Sequence, residues 1–166
     1  MEKMKLATEL FGVLEVEIDD GFSGTFELTV EKRKMIPFLF IHEETIGDDN
    51  AGAITAFLNQ IPALYKEAKR VVLAKIDDSE LIRYFVDEEL ENIDELHEIF
   101  NVATNADITD DMFIKQLELS GVGVLLNENG ELNYHLDLTI SKEHTDELLV
   151  VYFDTALEIL TITHES

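Results

Sequence analysis

Hydrophobic and polar residues alternate most regularly near the end of the chain. Leu132, Tyr134, Leu136, Leu138 and Ile140 interleave with Asn133, His135, Asp137 and Thr139. A period of two marks a strand with one buried face. Val122, Val124 and Leu126 repeat the pattern upstream, with Glu128-Asn129-Gly130 between the two runs. A two-residue Asn-Gly loop would pair Leu126 with Asn133 and turn the valines to the polar face. A three-residue loop pairs Leu126 with Leu132 and Val124 with Tyr134, so both apolar sets share a face. The pattern therefore predicts a type I turn with Gly130 left-handed in a G1 bulge. That register sets Gly123 opposite His135 and Gly121 opposite Asp137, leaving an open spot on the outer face. Residues 148–153 are apolar on both sides, which predicts a strand covered on both faces. Residues 154–157 then turn the chain into a last strand over 158–163.

The other end also alternates. In residues 10–18, Leu14, Val16 and Ile18 oppose Val13, Glu15 and Glu17; in 25–31, Phe26, Leu28 and Val30 point inward. Asp19-Asp20-Gly21-Phe22-Ser23-Gly24 lies between them as a turn cluster, so the two runs predict a hairpin with one wet, acidic face. Lys32-Arg33-Lys34 reads as the next turn and 35–41 as a third strand. Pro37 has no N–H for a ladder, which places that strand at an edge or puts a break in it.

Between these blocks the period changes to that of a helix. Residues 47–51 are polar and loop-like, and 53–76 carry Ile54, Phe57, Leu58, Ile61, Leu64, Tyr65, Ala68, Val71 and Val72 at helical spacing. Pro62 should kink this helix or start a second one. Asp77 and Glu80 have capping-box spacing, so a new helix is expected there, with the stripe Leu81, Phe85, Leu90, Ile93, Leu96 and Phe100. Residues 101–107 read as a loop, and Thr109 with Asp110 and Asp111 should cap a short helix through Leu117. Strands and helices in separate blocks predict an α+β fold: three N-terminal and four C-terminal strands in a mostly antiparallel sheet, with two or three central helices on one face. At 166 residues the chain suits a single domain over 1–166.

Charge narrows the function. Lys plus Arg number 12 against 36 Asp plus Glu, a formal net of −24. A phosphate backbone or an anionic membrane would meet like charge, so nucleic acid and membrane are excluded as expected partners. A basic protein would be steered inward, although solubility alone also accounts for an acidic surface. The 46% hydrophobic content separates the chain from disordered acidic tails. No Cys is present, so disulfides, thiol nucleophiles and sulfur-bound metals do not arise. With no apolar run after the polar start, a cytoplasmic location is expected.

Phe11-Gly12-x-Leu14, together with Thr145-Asp146-x-Leu148-Leu149-Val150-Val151 leading to Ile162-Thr163-His164-Glu165-Ser166, resembles a bacterial family catalogued only as a domain of unknown function. The resemblance runs over most of the chain, with residues 36–50 and Pro62 departing from it. It implies a small acidic cytosolic protein, and some such proteins look like neutralising partners encoded beside toxins. It implies no catalytic residues.

Motifs for bond-making chemistry are sparse. There is no G-x-S-x-G elbow, and Ser141 and Thr145 beside His144 form a loop neighbourhood rather than a triad. Gly121-x-Gly123 lacks the third glycine and the following helix of a dinucleotide site. His42-Glu43-Glu44 with Asp48-Asp49-Asn50 gathers oxygens suited at most to a weak divalent cation, and no EF-hand or H-E-x-x-H pattern occurs. No metal site and no cofactor is therefore expected. His135 and Asp137 project to the same side of one strand, which allows a general base or half of a metal site. The densest charge is on the second helix, where Asp87, Glu88, Glu91, Asp94 and Glu95 form the candidate face for a basic surface. The leading expectation is a non-catalytic binding module of the immunity type. A metal-dependent hydrolase built on His135 and Asp137, and a structural protein that self-associates by an edge strand, are the alternatives.

Overall fold

A computed structural model describes residues 3–17 and 22–166. Residues 19–21 of the expected turn cluster lie outside the described residues. The fold is α+β, with a mostly antiparallel sheet and the helices on one side.

The clearest expectation holds residue by residue. Strand β7 (Glu118–Leu126) pairs antiparallel with β8 (Leu132–Thr139), Leu126 opposite Leu132 and Val124 opposite Tyr134. Gly130 sits at φ +74° and donates to the Asn127 carbonyl at 3.0 Å. The Asn127 side-chain oxygen accepts from the backbone of Asn129 and Glu131, which locks the turn. The outer spot is not open, however. A Cβ on Gly123 would lie 1.8 Å from His135 Nε2, and one on Gly121 would lie 2.6 Å from Asp137 Oδ2. Both side chains lie down on the bare backbone and fill the space.

β9 (Leu148–Phe153) and β10 (Ile159–Glu165) complete the C-terminal meander, and the six-stranded order is β10-β9-β8-β7 followed by two N-terminal strands. Leu149, Val151 and Phe153 of β9 are buried, and Val150 on the opposite face is only 2% exposed, as an interior strand requires.

The N-terminal half pairs differently from its pattern. β1 (Lys3–Thr8) and β2 (Gly12–Glu17) form a hairpin of their own, so residues 12–17 do not pair with 25–31, and Ile18 lies outside the described residues. Lys3 and Lys5 make β1 look polar, while Met4 and Leu6 bury its other side. The run 25–31 also divides. β3 (Phe22–Thr25) pairs with β6 (Phe38–Ile41), and β4 (Leu28–Val30) pairs with β5 (Arg33–Met35). The β4–β5 turn falls on Glu31 and Lys32, one residue early, both at positive φ as a two-residue hairpin loop demands. Among the described residues, three expected strands are thus six. The break at Pro37 is present, and β6 lies inside the sheet between β3 and β7. β6 runs parallel to β7, a pairing that needs a long crossover, which the helical middle supplies.

Helix α1 (Asp48–Lys75) begins where a loop was expected and passes through Pro62 without a break. Ile54, Phe57, Leu58, Ile61, Tyr65, Ala68 and Val72 are all nearly fully buried, a stripe continuous across the proline. Burying it outweighs one lost helical hydrogen bond, which costs about 3 kcal/mol. Phe57 stacks on Tyr134 with ring centroids 4.2 Å apart, fixing α1 to the sheet. Helix α2 (Glu80–Asn92) is capped by Ser79, whose Oγ accepts from the Ile82 amide, rather than by Asp77. Its buried stripe is therefore Ile82, Phe85, Val86 and Glu89. A short α3 (Leu96–Ile99) follows, and α4 (Asp110–Gln116) starts at the Thr109 cap as expected. No helix among the described residues is long and apolar enough to cross a membrane.

Candidate acidic cleft

Glu89 occupies the fourth position of the α2 stripe, where periodicity calls for an apolar side chain. The helix drives it inward until it is 2% exposed. Its Oε1 accepts a hydrogen bond from Thr145 Oγ1 at 3.2 Å, while Oε2 has no partner among the described residues. Burial raises the pKa of this carboxyl above the usual glutamate value. The Thr145 hydroxyl opposes that shift, and the nearby Glu147 and Glu88 charges add to it.

Thr145 belongs to the loop between β8 and β9, which folds on itself. The Ser141 carbonyl accepts from the amides of His144 and Thr145, and Thr145 Oγ1 accepts from the Glu147 amide. This compact turn sets Glu143, Asp146 and Glu147 around an open cleft of about 480 Å³, with Glu89 on the facing wall. Among the described residues Lys142 is the one Lys or Arg lining it, and its ammonium donates to the Ile36 carbonyl at 2.8 Å. His164 Nε2 lies 2.5 Å from Glu147 Oε2, and its ring is edge-on to Phe85. Carboxylates therefore dominate the cleft, and the most sequestered of them is incompletely satisfied.

The five residues expected on one α2 face are divided. Glu95 reaches the cleft rim, 3.6 Å from His144 Nε2. Glu88 adds its charge to that of Glu89. Asp87 and Glu91 border a different depression with Leu90 and Asn105, where Asp87 also pairs with Arg83 at 3.4 Å. Asp94 is exposed, and its carbonyl bonds His97 Nδ1. Asp94 and Glu95 lie past the end of α2 at Asn92, so the five expected residues do not share one helix face.

His135 and Asp137 are joined by a 2.7 Å contact between Nδ1 and Oδ1, each side chain about 20% exposed. Tyr152 lies beside them, its hydroxyl pushed up to about 12 by burial and by its hydrogen bond to Glu165. No group of three or more His, Asp or Glu is placed to hold a metal among the described residues. In the 42–50 segment, His42 caps a 3-10 turn at Glu43–Thr45, and the Asn50 amide closes onto the Thr45 carbonyl.

Ser141 Oγ lies 2.6 Å from His144 Nδ1, so Ser141, His144 and Glu95 fall in a line. The arrangement lacks what acyl transfer needs. Serine and histidine sit in one exposed turn, and the amides of Lys142, His144, Thr145 and Glu147 are engaged by Glu118, Ser141 and Thr145. No pair of those N–H groups remains for an oxyanion.

A second cleft, of about 360 Å³, is lined by Arg33, Tyr65, Lys69 and Lys115. Arg33 donates to the Gln116 carbonyl, Lys69 to that of Lys115 and Tyr65 to that of Leu117. These donors finish the C-terminus of α4, a structural task. Burial lowers the Lys69 pKa, and the Arg33 charge adds to that shift.

Glu89, Glu143, Asp146 and Glu147 were not singled out from the sequence. The available signals were a glutamate on an apolar helical stripe and the run Glu143-His144-Thr145-Asp146-Glu147. No family model matches the chain, and no curated protein or solved structure matches it either.

Proposed function

We propose that the chain is a non-catalytic binding module that docks a basic protein through the cleft between α2 and the 141–147 loop. The observation that carries this reading is the ring of Glu89, Glu143, Asp146 and Glu147, with the Lys142 ammonium turned away from it. The net charge of −24 would speed encounter with a cationic partner, and the cleft gives that attraction a place to become specific. The resemblance at the chain ends agrees with an immunity-type inhibitor in a bacterial cytosol.

Two charge reversals of equal size test the proposal. Glu143→Lys with Asp146→Lys alters the cleft, and Glu9→Lys with Glu128→Lys alters distant exposed carboxylates. Binding of an arginine- and lysine-rich polypeptide is followed by calorimetry across a salt series. The cleft pair should weaken binding at least about tenfold more than the distant pair, a difference of about 1.4 kcal/mol. Equal losses would leave only net charge, and the cleft reading would fail.

A further inference from the structure

The cleft has an internal anchor as well as an acidic rim. Glu89 is held by the helix, not by a loop, and is 2% exposed, with Oε1 bonded to Thr145 and Oε2 unpartnered among the described residues. A buried acceptor left without a donor is costly, so a ligand supplying one gains more there than at the surface. With no three-ligand cluster among the described residues, the arrangement suits an organic cation better than a metal ion.

Resting on the binding reading above, we propose that Glu89 is the anchor for one arginine guanidinium of the protein partner. Only Oε2 is unpartnered among the described residues, so the contact at Glu89 is a single hydrogen bond. The remaining N–H groups of a guanidinium fan outward in its plane, toward the wall that carries Asp146 and Glu147. An ammonium is more strongly hydrated and would surrender more solvation to reach an oxygen this secluded. Glu89 therefore discriminates arginine from lysine, whereas the exposed rim carboxylates attract both.

The test uses two peptides of equal length and charge, one arginine-rich and one lysine-rich, titrated calorimetrically into the full chain and into Glu89→Gln. The wild-type chain should prefer the arginine peptide by about tenfold. E89Q should remove that preference, weakening the arginine peptide by about tenfold more than the lysine peptide. Retention of the preference in E89Q overturns the anchor and leaves the binding module standing. Equal wild-type affinity for both peptides does the same. Failure of both peptides to bind at low salt overturns both proposals. A measurement on the wild type guards against a poorly folded variant: NMR titration of the Glu89 carboxyl with and without arginine peptide. Its midpoint should fall on binding, and an unmoved midpoint refutes contact.

Discussion

Gly123→Ala probes how the outer sheet face is built. The added Cβ would lie 1.8 Å from His135 Nε2, against about 3.4 Å for ordinary contact, so the ring must retreat by about 1.6 Å. Neighbouring ring atoms at 2.4 and 2.5 Å leave no small rotation that relieves the clash. Retreat breaks the 2.7 Å bond between His135 and Asp137, and a hydrogen bond to a charged group contributes about 1.5–3 kcal/mol. Against this, replacing a strand glycine by alanine gains roughly 0.5–1 kcal/mol from chain entropy. The net expectation is a loss of about 1–2 kcal/mol, or roughly 2–8 °C in Tm for a chain of this size. Urea unfolding followed by far-UV circular dichroism measures it. The decisive comparison is the same substitution in a His135→Ala background. There the Cβ enters vacated space and only the entropic gain remains, so the sign reverses and G123A becomes stabilising. If G123A has the same effect in both backgrounds, the packing of His135 onto Gly123 is not what shapes this face.

Two further substitutions test the helices. Glu89→Gln should raise stability at neutral pH by about 1–2 kcal/mol, because it removes a buried, half-satisfied carboxylate. A carboxyl whose folded pKa is raised binds its proton more tightly when folded, so its burial cost is present above that pKa and fades as pH falls. The Tm advantage of E89Q should accordingly shrink on acidification through the raised pKa and vanish below the unfolded value near 4.5; an advantage that does not change with pH contradicts the assignment. Pro62→Ala should restore an amide donor to the Leu58 carbonyl and stabilise α1 by up to about 3 kcal/mol in urea unfolding, and a loss of stability would show that the ring packs better than a methyl there.

What the sequence disclosed follows the range of the forces involved. The β7–β8 register was legible because one short turn and two alternating runs admit only one alignment that keeps the apolar faces together. The β1–β2 hairpin was hidden because Lys3 and Lys5 mask Met4 and Leu6, and β2 carries no mark that names its partner. Pairing of β3 with β6, from Thr25 opposite Phe38 to Phe22 opposite Ile41, is a tertiary choice with no local signature. The cleft was obscure for a related reason. A run of glutamates on α2 reads as one face until the cap is placed at Ser79, and only that phase sends Glu89 inward and Asp87 outward. Placing the cap at Asp77 favoured Leu81 and concealed the one carboxylate that departs from the stripe.

The same side chain is expected to act in opposite directions on folding and on binding, and that conflict is the strongest reason to read the cleft as functional. An apolar residue at position 89 would complete the stripe of Ile82, Phe85 and Val86 without a desolvation cost. Five of the twelve Lys and Arg residues, Arg33, Lys66, Lys69, Arg70 and Lys115, line two adjoining clefts near α4, and none of them lines this one. A protein shaped only for solubility gains nothing from a buried carboxylate, since solubility is a property of exposed charge. Retaining such a group lowers the stability of the free chain and favours a partner that can cover it, which is how stability and recognition oppose each other at binding sites. If E89Q both stabilises the free protein and weakens its hold on arginine, the two effects share one cause. Stabilisation without weaker binding would reduce Glu89 to an unfavourable accident of the core.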